Sequence, residues 1–515
     1  MFKSLLNFSS VKRSRHGVEN VPRQYNSYAT ISGVQSAIKY EYTERGMALG
    51  SEIETLIAEF SAGYKRKVAQ LRSSGELRIM EGKAPMSVAG YRFLAQQALQ
   101  ATKDFNLSLT CHAFLLLCWN LMARSITTAN LRLEHVTWRG DALVIEYGLA
   151  KNDQTGEMSY PRHVYANPSC PEICPILSSL AILMFTQPPR NVGLSTLLFG
   201  PKERFSTWLA ATCHTCQEEI LALGLSISEI GSHSFRKGVA TELANCPGGP
   251  HAVSIWLRAG WSLGNVQSRY IFQGAGGDQF AGRAASGLSV NDVSFASLPP
   301  HFHGVVLSPI QWDSILPGYS SFYPATFRCA VPYLLASLVH HYAWLKLNLN
   351  PNHPLLLSHA WTSGILPQLF PQVLTGVLEN TTSRMVATGI PPHVPLSIQL
   401  QSVKSAVENI GTSIQKKLEL IPDQISTAIQ NQCRSSRVEP VTMEVLNNSL
   451  QEFGDNIIKR IESITTLRSP NMHENTPNLP SATPSPLNYW WVNQRQFATS
   501  KLHCPKGKLY DLWNL

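Results

Sequence analysis

The chain has few charged residues and no apolar run long enough to cross a bilayer. Charged residues make up 15% of its 515 residues, against 44% hydrophobic residues. That balance predicts that most of the chain folds, with room for several domains. The longest apolar run, residues 113–123, is well short of the about 20 residues that a membrane helix needs. Residues 1–21 also lack the continuous apolar segment of a secretory signal. We therefore expect no membrane span.

Cysteine is sparse as well. Ten cysteines in this length form no visible small-domain disulfide framework, which favours a reducing, intracellular compartment. Two close pairs, Cys170 with Cys174 and Cys213 with Cys216, leave zinc as an alternative. The first pair lies at a predicted strand-to-helix junction and the second inside a predicted helix. We therefore interpret these cysteines as structural and expect no metal and no cofactor.

Positive charge exceeds negative charge. Lysine and arginine number 43 against 34 acidic residues, for a net charge of +9. This excess permits a polyanionic partner such as double-stranded DNA without requiring one. Residues 1–45 carry part of it, with little apolar periodicity, and are predicted to form a basic flexible arm. A solvated tail, a DNA-contacting arm and a nuclear signal all fit that segment.

Apolar periodicity organises the middle of the chain. Residues 46–107 predict a small helical module with a basic face, and residues 108–288 a larger domain that begins with a buried helix. Alternating patterns predict a three-strand antiparallel meander, with strands near residues 135–138, 142–147 and 158–165. The predicted fold class is therefore mostly α with a small antiparallel β-sheet (α+β).

The C-terminal half contributes no recognisable chemistry. Residues 289–395 predict an uncharacterised folded extension, mostly helical. Residues 396–466 carry two apolar stripes that step by three and four, a heptad-like pattern interrupted at Pro422. Such helices either pack within their own domain or form a coiled coil between chains. Residues 467–515 predict a Pro/Ser/Asn linker and an aromatic-basic tail, which is either a packing hook or a DNA contact.

The chemistry-bearing residues concentrate between positions 231 and 283. His233 and Arg236 are three positions apart and share a face if helical, and Tyr270 follows Trp261 by nine positions. A tyrosine after a basic cluster suggests attack of a phenolic oxygen on a phosphodiester. A free phenol has a pKa of about 10, so full ionisation at pH 7 costs roughly 4 kcal/mol. Nearby cations or a base must therefore assist the attack.

Residues upstream could supply the missing parts. Arg124 and Arg236 can each hold phosphate oxygens with a planar fork that stays charged. Lys151, at a predicted hairpin turn, can protonate the leaving oxygen. His233 can accept or relay a proton, whereas the indole of Trp261 can only donate a hydrogen bond. The structural alternatives are a capped turn for the His-x-x-Arg pair, a solvated lysine and a core tryptophan.

These residues and their order resemble the tyrosine recombinase (phage integrase) family. Arg124 with Leu131, the hairpin lysine, the His-Ser-Phe-Arg motif followed by Ala-Thr, the Gly-Trp pair and the tyrosine nine residues later all fit the family pattern. Thr127 departs from it, because the family usually has an acidic residue there. The resemblance implies six catalytic residues: Arg124, Lys151, His233, Arg236, Trp261 and Tyr270, with Tyr270 as the nucleophile.

A narrower resemblance is to the recombinases of Crypton-type DNA transposons. It rests on the stretches HSFRKG, LRAGWSLG and RYIF, on the GDQF and GR motifs of residues 277–283, and on LPPHF at residues 298–302. The tail of residues 490–513 is faintly similar to the DNA-binding segment of fungal glycolytic-gene activators.

The resemblance implies an enzyme of a mobile element that cuts and rejoins DNA through a 3′-phosphotyrosyl intermediate. It further implies an integrase catalytic fold, an N-terminal core-binding-like domain that clamps the other side of the duplex, and a helical C-terminal extension. We expect a nuclear homotetramer on double-stranded DNA, without metal or nucleotide cofactor. The alternatives are a host-recruited DNA-binding or regulatory protein that keeps the fold, and a type IB topoisomerase-like enzyme.

Overall fold

The computed structural model describes residues 2–77, 82–146, 160–187, 197–261, 275–304, 307–435 and 442–466. Helices dominate these residues, and the strands form small antiparallel sheets, so the predicted α+β class is confirmed. The chain divides into two compact units, Met1–Glu408 and Asn409–Leu515. None of the described helices is long and apolar enough to cross a membrane.

The first three helices form a module with its own core. They are α1 (Phe2–Ser10), α2 (Tyr28–Glu44) and α3 (Ser51–Ser73). Leu6 and Ile31 are fully buried against Ile57 and Val68 of α3. The prediction of a flexible arm over residues 1–45 is therefore wrong. The apolar residues of α1 and α2 are too diluted by polar neighbours to be recognised without the α3 face that they cover.

The fourth helix, α4 (Val88–Leu99), belongs to the main core and not to this module. Its Tyr91 ring stacks on Trp119 of α5 (Phe105–Asn120), with ring centroids 4.2 Å apart. The predicted domain of residues 46–107 thus combines α3 of one core with α4 of another. An apolar stripe on α4 shows that a face is buried, but it does not show which neighbour buries it.

Helix α5 is the centre of the main core, as its apolar run predicts. Nearly all of its residues from Ser108 to Asn120 are buried. A helix that is apolar all round has to be surrounded by other elements. Here α4 packs on it, as do α8 (Lys202–Thr215) and α10 (Ser232–Asn245). A π-helical segment, Pro175–Ala181, also packs on α5 and continues into α7 (Ile182–Thr186).

The three-strand meander is confirmed among the described residues. Its strands are β1 (Val136–Arg139), β2 (Ala142–Ile145) and β3 (Arg162–Val164), in the order β1-β2-β3 and antiparallel throughout. Val136 pairs with Ile145, and Ile145 pairs with Arg162. Before the sheet, the short helix α6 (Ser125–Ala129) and a 3₁₀ turn (Leu133–His135) take the place of the single short helix expected there.

The helices after the sheet surround α5 and carry the predicted site. They are α8 (Lys202–Thr215), α9 (Gln217–Ala222), α10 (Ser232–Asn245), α11 (Ala252–Ala259) and α12 (Ala275–Ala285). Cys216 divides the first two of these helices. Phe205 of α8 and Phe235 of α10 meet at ring centroids 5.9 Å apart in the core.

Residues 307–369 of the predicted extension pack into the same core, and residues 288–298 form a smaller cluster with Ala387 and Val394. The helices are α13 (Pro309–Ile315), α14 (Tyr319–Phe322), α15 (Ala325–Arg328), α16 (Val331–His340), α17 (Tyr342–Asn348), α18 (His359–Thr362) and α19 (Ile365–Leu369). Two small sheets pair β4 (His301–Phe302) with β5 (Val373–Leu374) and β6 (Glu379–Asn380) with β7 (Met385–Val386). Trp138 of β1 stacks on Tyr333 of α16, with centroids 3.9 Å apart.

Two long helices end the described chain, α20 (His393–Ser435) and α21 (Met443–Thr466). Helix α20 continues through Pro422, so the proline does not end the helix as its sequence suggests. A proline removes one backbone donor, and the rest of a 43-residue helix supports the conformation on both sides. Leu400 remains 71% exposed and Val407 61% exposed, so the described part of the apolar stripe is uncovered.

Candidate functional site

Arg124 is held at the end of the central helix. After α5 ends at Asn120, Met122 adopts a left-handed conformation with φ 51°, and Arg124 then caps the N-terminus of α6. The Arg124 carbonyl accepts a hydrogen bond from the Thr128 backbone N–H at 3.0 Å. A non-glycine residue with positive φ is uncommon and persists where its surroundings impose it. The buried end of α5 therefore fixes the backbone from which the half-buried Arg124 side chain projects.

His233 and Arg236 lie in the first turns of α10. The helix begins where the Gly231 backbone N–H donates to Ser234 Oγ at 3.1 Å. On the buried side, the α10 backbone lies directly against the segment before α4: Met86 N–H donates to the Ser234 carbonyl at 2.9 Å. A Cβ at Gly238 would lie 2.2 Å from the Met86 carbonyl oxygen, so only glycine permits this approach. That packing sets where His233 and Arg236 stand.

Arg236 is buried and is held by neutral partners at the end of α11. One Nη donates to the Ala259 carbonyl, and the guanidinium carbon lies 5.5 Å from the Trp261 ring centroid. Gly260, with φ 64°, ends α11, and the Trp261 N–H then donates to the Trp256 carbonyl at 2.9 Å. A helix C-terminus and an aromatic face both favour a cation. The arrangement keeps the guanidinium planar, oriented and charged.

The electrostatics of His233 link these elements. Partial burial lowers the pKa of its imidazole, and the charges of Arg236, Arg124 and Lys237 lower it further. Arg236 also acts on Cys118 of α5. Burial raises the pKa of the Cys118 thiol to about 11, and the positive charge of Arg236 opposes this rise. An exposed imidazole with a lowered pKa is more often neutral at pH 7 and can accept a proton. The surroundings are positive, which suits a bound anion.

The structure thus places His233 and Arg236 on one helix, with the Arg236 guanidinium facing Trp261. The charge of Arg124 also acts on the His233 imidazole. Lys151 and Tyr270 lie outside the described residues.

Two lysines next to His233 and Arg236 were missed by the sequence reasoning. Lys237 Nζ donates to the Lys83 carbonyl at 2.8 Å, and Lys83 Nζ donates to the Ser228 carbonyl at 2.9 Å. His233 and Lys83 also line a groove of about 740 Å³. Lys237 follows Arg236 directly in the sequence, so its place beside the site could have been predicted. Lys83 had no signal, because only the fold brings its segment to α10.

The cysteines do not assemble into a metal site in the part of the chain that the structure describes. No group of three or more His, Cys, Asp or Glu residues is placed there to hold a metal ion. Burial instead raises the pKa of the Cys213 thiol to about 11, with Cys216 adding to the effect. Cys174 Sγ accepts a hydrogen bond from the Asn167 N–H at 3.3 Å. Burial and hydrogen bonds of this kind are typical of thiols in a protein core.

Comparison with known proteins does not assign a family to the chain. No known protein family matches it, and no curated protein matches it.

Proposed function

We propose that the protein is a DNA strand-breaking and rejoining enzyme, a tyrosine recombinase that works through a 3′-phosphotyrosyl intermediate. The observation that carries the proposal is the position of Arg236, which faces Trp261 from the same helix that presents His233. The charge of Arg124, more than 100 positions upstream, acts on the same imidazole. Two guanidiniums and an indole N–H are donors for the non-bridging oxygens of a phosphodiester. Their fixed positions suit charge that develops during phosphoryl transfer.

Each residue has a role that its surroundings favour. Tyr270 would attack the phosphorus, forming an O–P bond while the 5′-oxygen leaves and takes a proton from Lys151. His233, with its lowered pKa, would accept the phenolic proton. The phosphotyrosyl bond retains the energy of the broken diester, so a DNA 5′-hydroxyl can reverse the step. Arg236, oriented by Ala259 and Trp261, needs no rearrangement to bind the phosphate.

A second basic surface supports a DNA partner. On the N-terminal module, Lys65 lies 4.7 Å from the Tyr28 ring centroid, and Lys67 lies 5.1 Å from that of Tyr25. Both lysines are exposed on α3, as the sequence predicted for its basic face. Lysines held over aromatic rings beside a groove of about 810 Å³ suit contacts to a phosphate backbone. We propose that this module contacts DNA outside the cleavage position.

Self-association fits the uncovered stripe of α20. Leu400, Val407 and Ile414 are 71%, 61% and 45% exposed on one helical seam. Apolar seams of heptad spacing are typical of coiled coils. We therefore keep the homotetramer on DNA as part of the proposal, together with nuclear action on the ends of a mobile element.

The experiment is a trapping assay on nicked suicide substrates made from the DNA that flanks the gene. A covalent adduct is isolated in denaturant, treated with nuclease and digested with trypsin. Cleavage after Arg269 and Arg283 releases the peptide of residues 270–283, in which Tyr270 is the only tyrosine. We expect the phosphonucleotide on this peptide and no adduct with Tyr270→Phe.

Three results would change the conclusion. An adduct that persists in Tyr270→Phe would overturn the nucleophile assignment. Tight DNA binding without any adduct would favour a protein that keeps the fold only for binding. Relaxation of supercoiled plasmid without a specific site would instead indicate topoisomerase-like activity.

A further inference from the structure

A buried ionic network lies behind the site and joins the end of α5, which precedes Arg124, to α11, whose end holds Arg236. Asp278 of α12 accepts from Arg258 Nη1 at 2.6 Å and from His163 Nδ1 at 2.9 Å. The His163 backbone N–H donates to the same carboxylate at 2.8 Å, and Arg162 Nη1 lies 3.8 Å away. All four side chains are at most 10% exposed.

The carboxylate of Asp278 is ionised despite its burial. Burial opposes ionisation, but the Arg258 charge and the hydrogen bond from His163 outweigh it and lower the pKa of Asp278 to about 2. An ionised carboxylate can only accept, so His163 Nδ1 must carry the hydrogen. The network therefore has one arrangement of donors and acceptors.

Other donors of Arg258 and Arg162 bind backbone on both sides of the site. Arg258 Nε and Nη2 donate to the Asn120 carbonyl at 3.1 and 2.8 Å, at the last residue of α5. Arg162 Nη2 donates to the Leu257 carbonyl at 2.8 Å, in the last turn of α11. The chain turns from Asn120 into Arg124 within four residues, and Ala259, two residues after Leu257, holds Arg236.

The helix that contributes Asp278 is also fixed closely. A Cβ at Gly282 would lie 2.3 Å from the His163 carbonyl oxygen and 3.3 Å from Arg258 Nη1. Helix α12 therefore lies directly on β3, with no room for a side chain at this point. Displacement of Asp278 would require the whole helix to move.

We propose that the network of Asp278, Arg258, His163 and Arg162 is a positioning device that sets the separation of Arg124 and Arg236. Its members are positioning residues, because they touch backbone and one another and lie behind the reacting groups. The proposal rests on the proposed function for its biological meaning, but the geometry can be tested without DNA. Binding of a phosphate requires two positive charges at a fixed spacing. Breaking a buried ion pair is costly, so the network resists a change in the spacing of Arg124 and Arg236.

The test reads the electrostatics of His233 in the free, full-length protein. Histidines are labelled with ¹³C and followed by NMR as pH changes, with His233→Gln used to assign the signal. Arg236 and Arg124 help to lower the pKa of His233 in the wild type. We expect Asp278→Asn to raise that pKa toward its ordinary value, since the arginines no longer keep their places. In suicide-substrate trapping, we expect about a 10²-fold lower adduct rate, the loss typical of an approximately 1 Å misplacement.

The control is another fully buried ion pair, Asp141 with Arg283. Asp141 lies at the β1–β2 turn, and Thr388 N–H also donates to it at 3.0 Å. Asp141→Asn should destabilise the fold similarly and leave the His233 titration in place. Arg162→Lys is a second, milder variant that keeps the pair of Arg258 and Asp278, and it should shift His233 in the same direction.

Three outcomes separate the possibilities. An unchanged His233 titration in folded Asp278→Asn or Arg162→Lys would overturn the positioning role. Equal shifts in Asp141→Asn would overturn it too, because they would show a general loosening of the core. If the wild type forms no adduct on any DNA, the proposed function fails, while the His233 titration still decides the role of the network.

Discussion

The close approach of α10 to the segment before α4 makes Gly238→Ala a sharp test of the site's support. The added Cβ would lie 2.2 Å from the Met86 carbonyl oxygen and 3.0 Å from the Met86 backbone carbon and nitrogen. Ordinary contact requires a displacement of at least about 1 Å. The obstructing atoms are backbone, so no side chain can rotate away. The helix must therefore move as a unit.

The cost follows from two effects. Overpacking of this kind costs about 1–3 kcal/mol. The displacement also weakens the 2.9 Å hydrogen bond from Met86 N–H to the Ser234 carbonyl, worth about 1 kcal/mol. We expect Gly238→Ala to lower the free energy of unfolding by about 2–4 kcal/mol. It should also lower the adduct rate by about 10²-fold, because His233 and Arg236 move with the helix.

Urea denaturation followed by tryptophan fluorescence measures the stability, and hydrogen exchange of the α10 peptides measures the local effect. The matched control is Gly63→Ala in α3, where a Cβ would meet nothing within 4 Å. That change should stabilise its helix by about 0.5–1 kcal/mol through backbone entropy and helix propensity. A Gly238→Ala protein with wild-type stability and wild-type exchange in α10 would refute the packing argument.

Other predictions concern the site, the core and the C-terminal helices. Arg236→Lys keeps the charge but loses the planar fork, so we expect an about 10²-fold lower adduct rate in the trapping assay, and a wild-type rate would exclude bidentate binding. Burial lowers the pKa of both His112 and His353 to about 4. As pH falls below about 6.5, the unfolded state therefore binds protons that the folded state does not bind. By pH 4, each histidine should lower the free energy of unfolding by about 3 kcal/mol. Urea midpoints between pH 7 and pH 4.5 measure this, and a flat profile would contradict it. Val407→Glu with Ile414→Glu places charges on the exposed α20 seam, so the mass in light scattering should fall to that of a monomer, whereas an unchanged oligomer would place the interface elsewhere.

Two controls make these results specific. Arg139→Lys changes an exposed arginine that pairs with Glu146 on the sheet, and it should leave the adduct rate unchanged. Ser405→Glu adds a charge to α20 at an exposed position off the apolar seam, so the oligomer should persist.

Local structure was largely predictable from the sequence. The apolar run of residues 107–123 predicted a buried helix, and α5 occupies Phe105–Asn120. The alternation near residue 142 predicted a strand of a meander, and β2 pairs on both sides. Both signals arise from side-chain periodicity within a few residues. The helices α1 and α2 were missed, because their sparse apolar residues have meaning only when α3 covers them.

Domain limits were less predictable, for a related reason. A hydrophobic pattern identifies a buried face, but the same pattern serves any partner. Tyr91 could have packed on α3, yet it stacks on Trp119, and Tyr333 of the expected extension stacks on Trp138. Residues 46–107 and 289–395 each contain helices as expected, and both share core contacts with residues outside those limits.

For the site, the order and types of residues already suggested phosphoryl-transfer chemistry, because side-chain functional groups are a property of the sequence. Spacing alone could also place His233 beside Arg236 on one helical face. That Arg124 joins them across more than 100 positions depends on how α5, α10 and α11 pack. The roles of Arg258 and Asp278 depend on tertiary packing still more. A charged side chain can position other groups only when burial excludes water and leaves it specific partners. The sequence determined which chemistry is available, and the tertiary structure decided which charges lie together and what holds them apart.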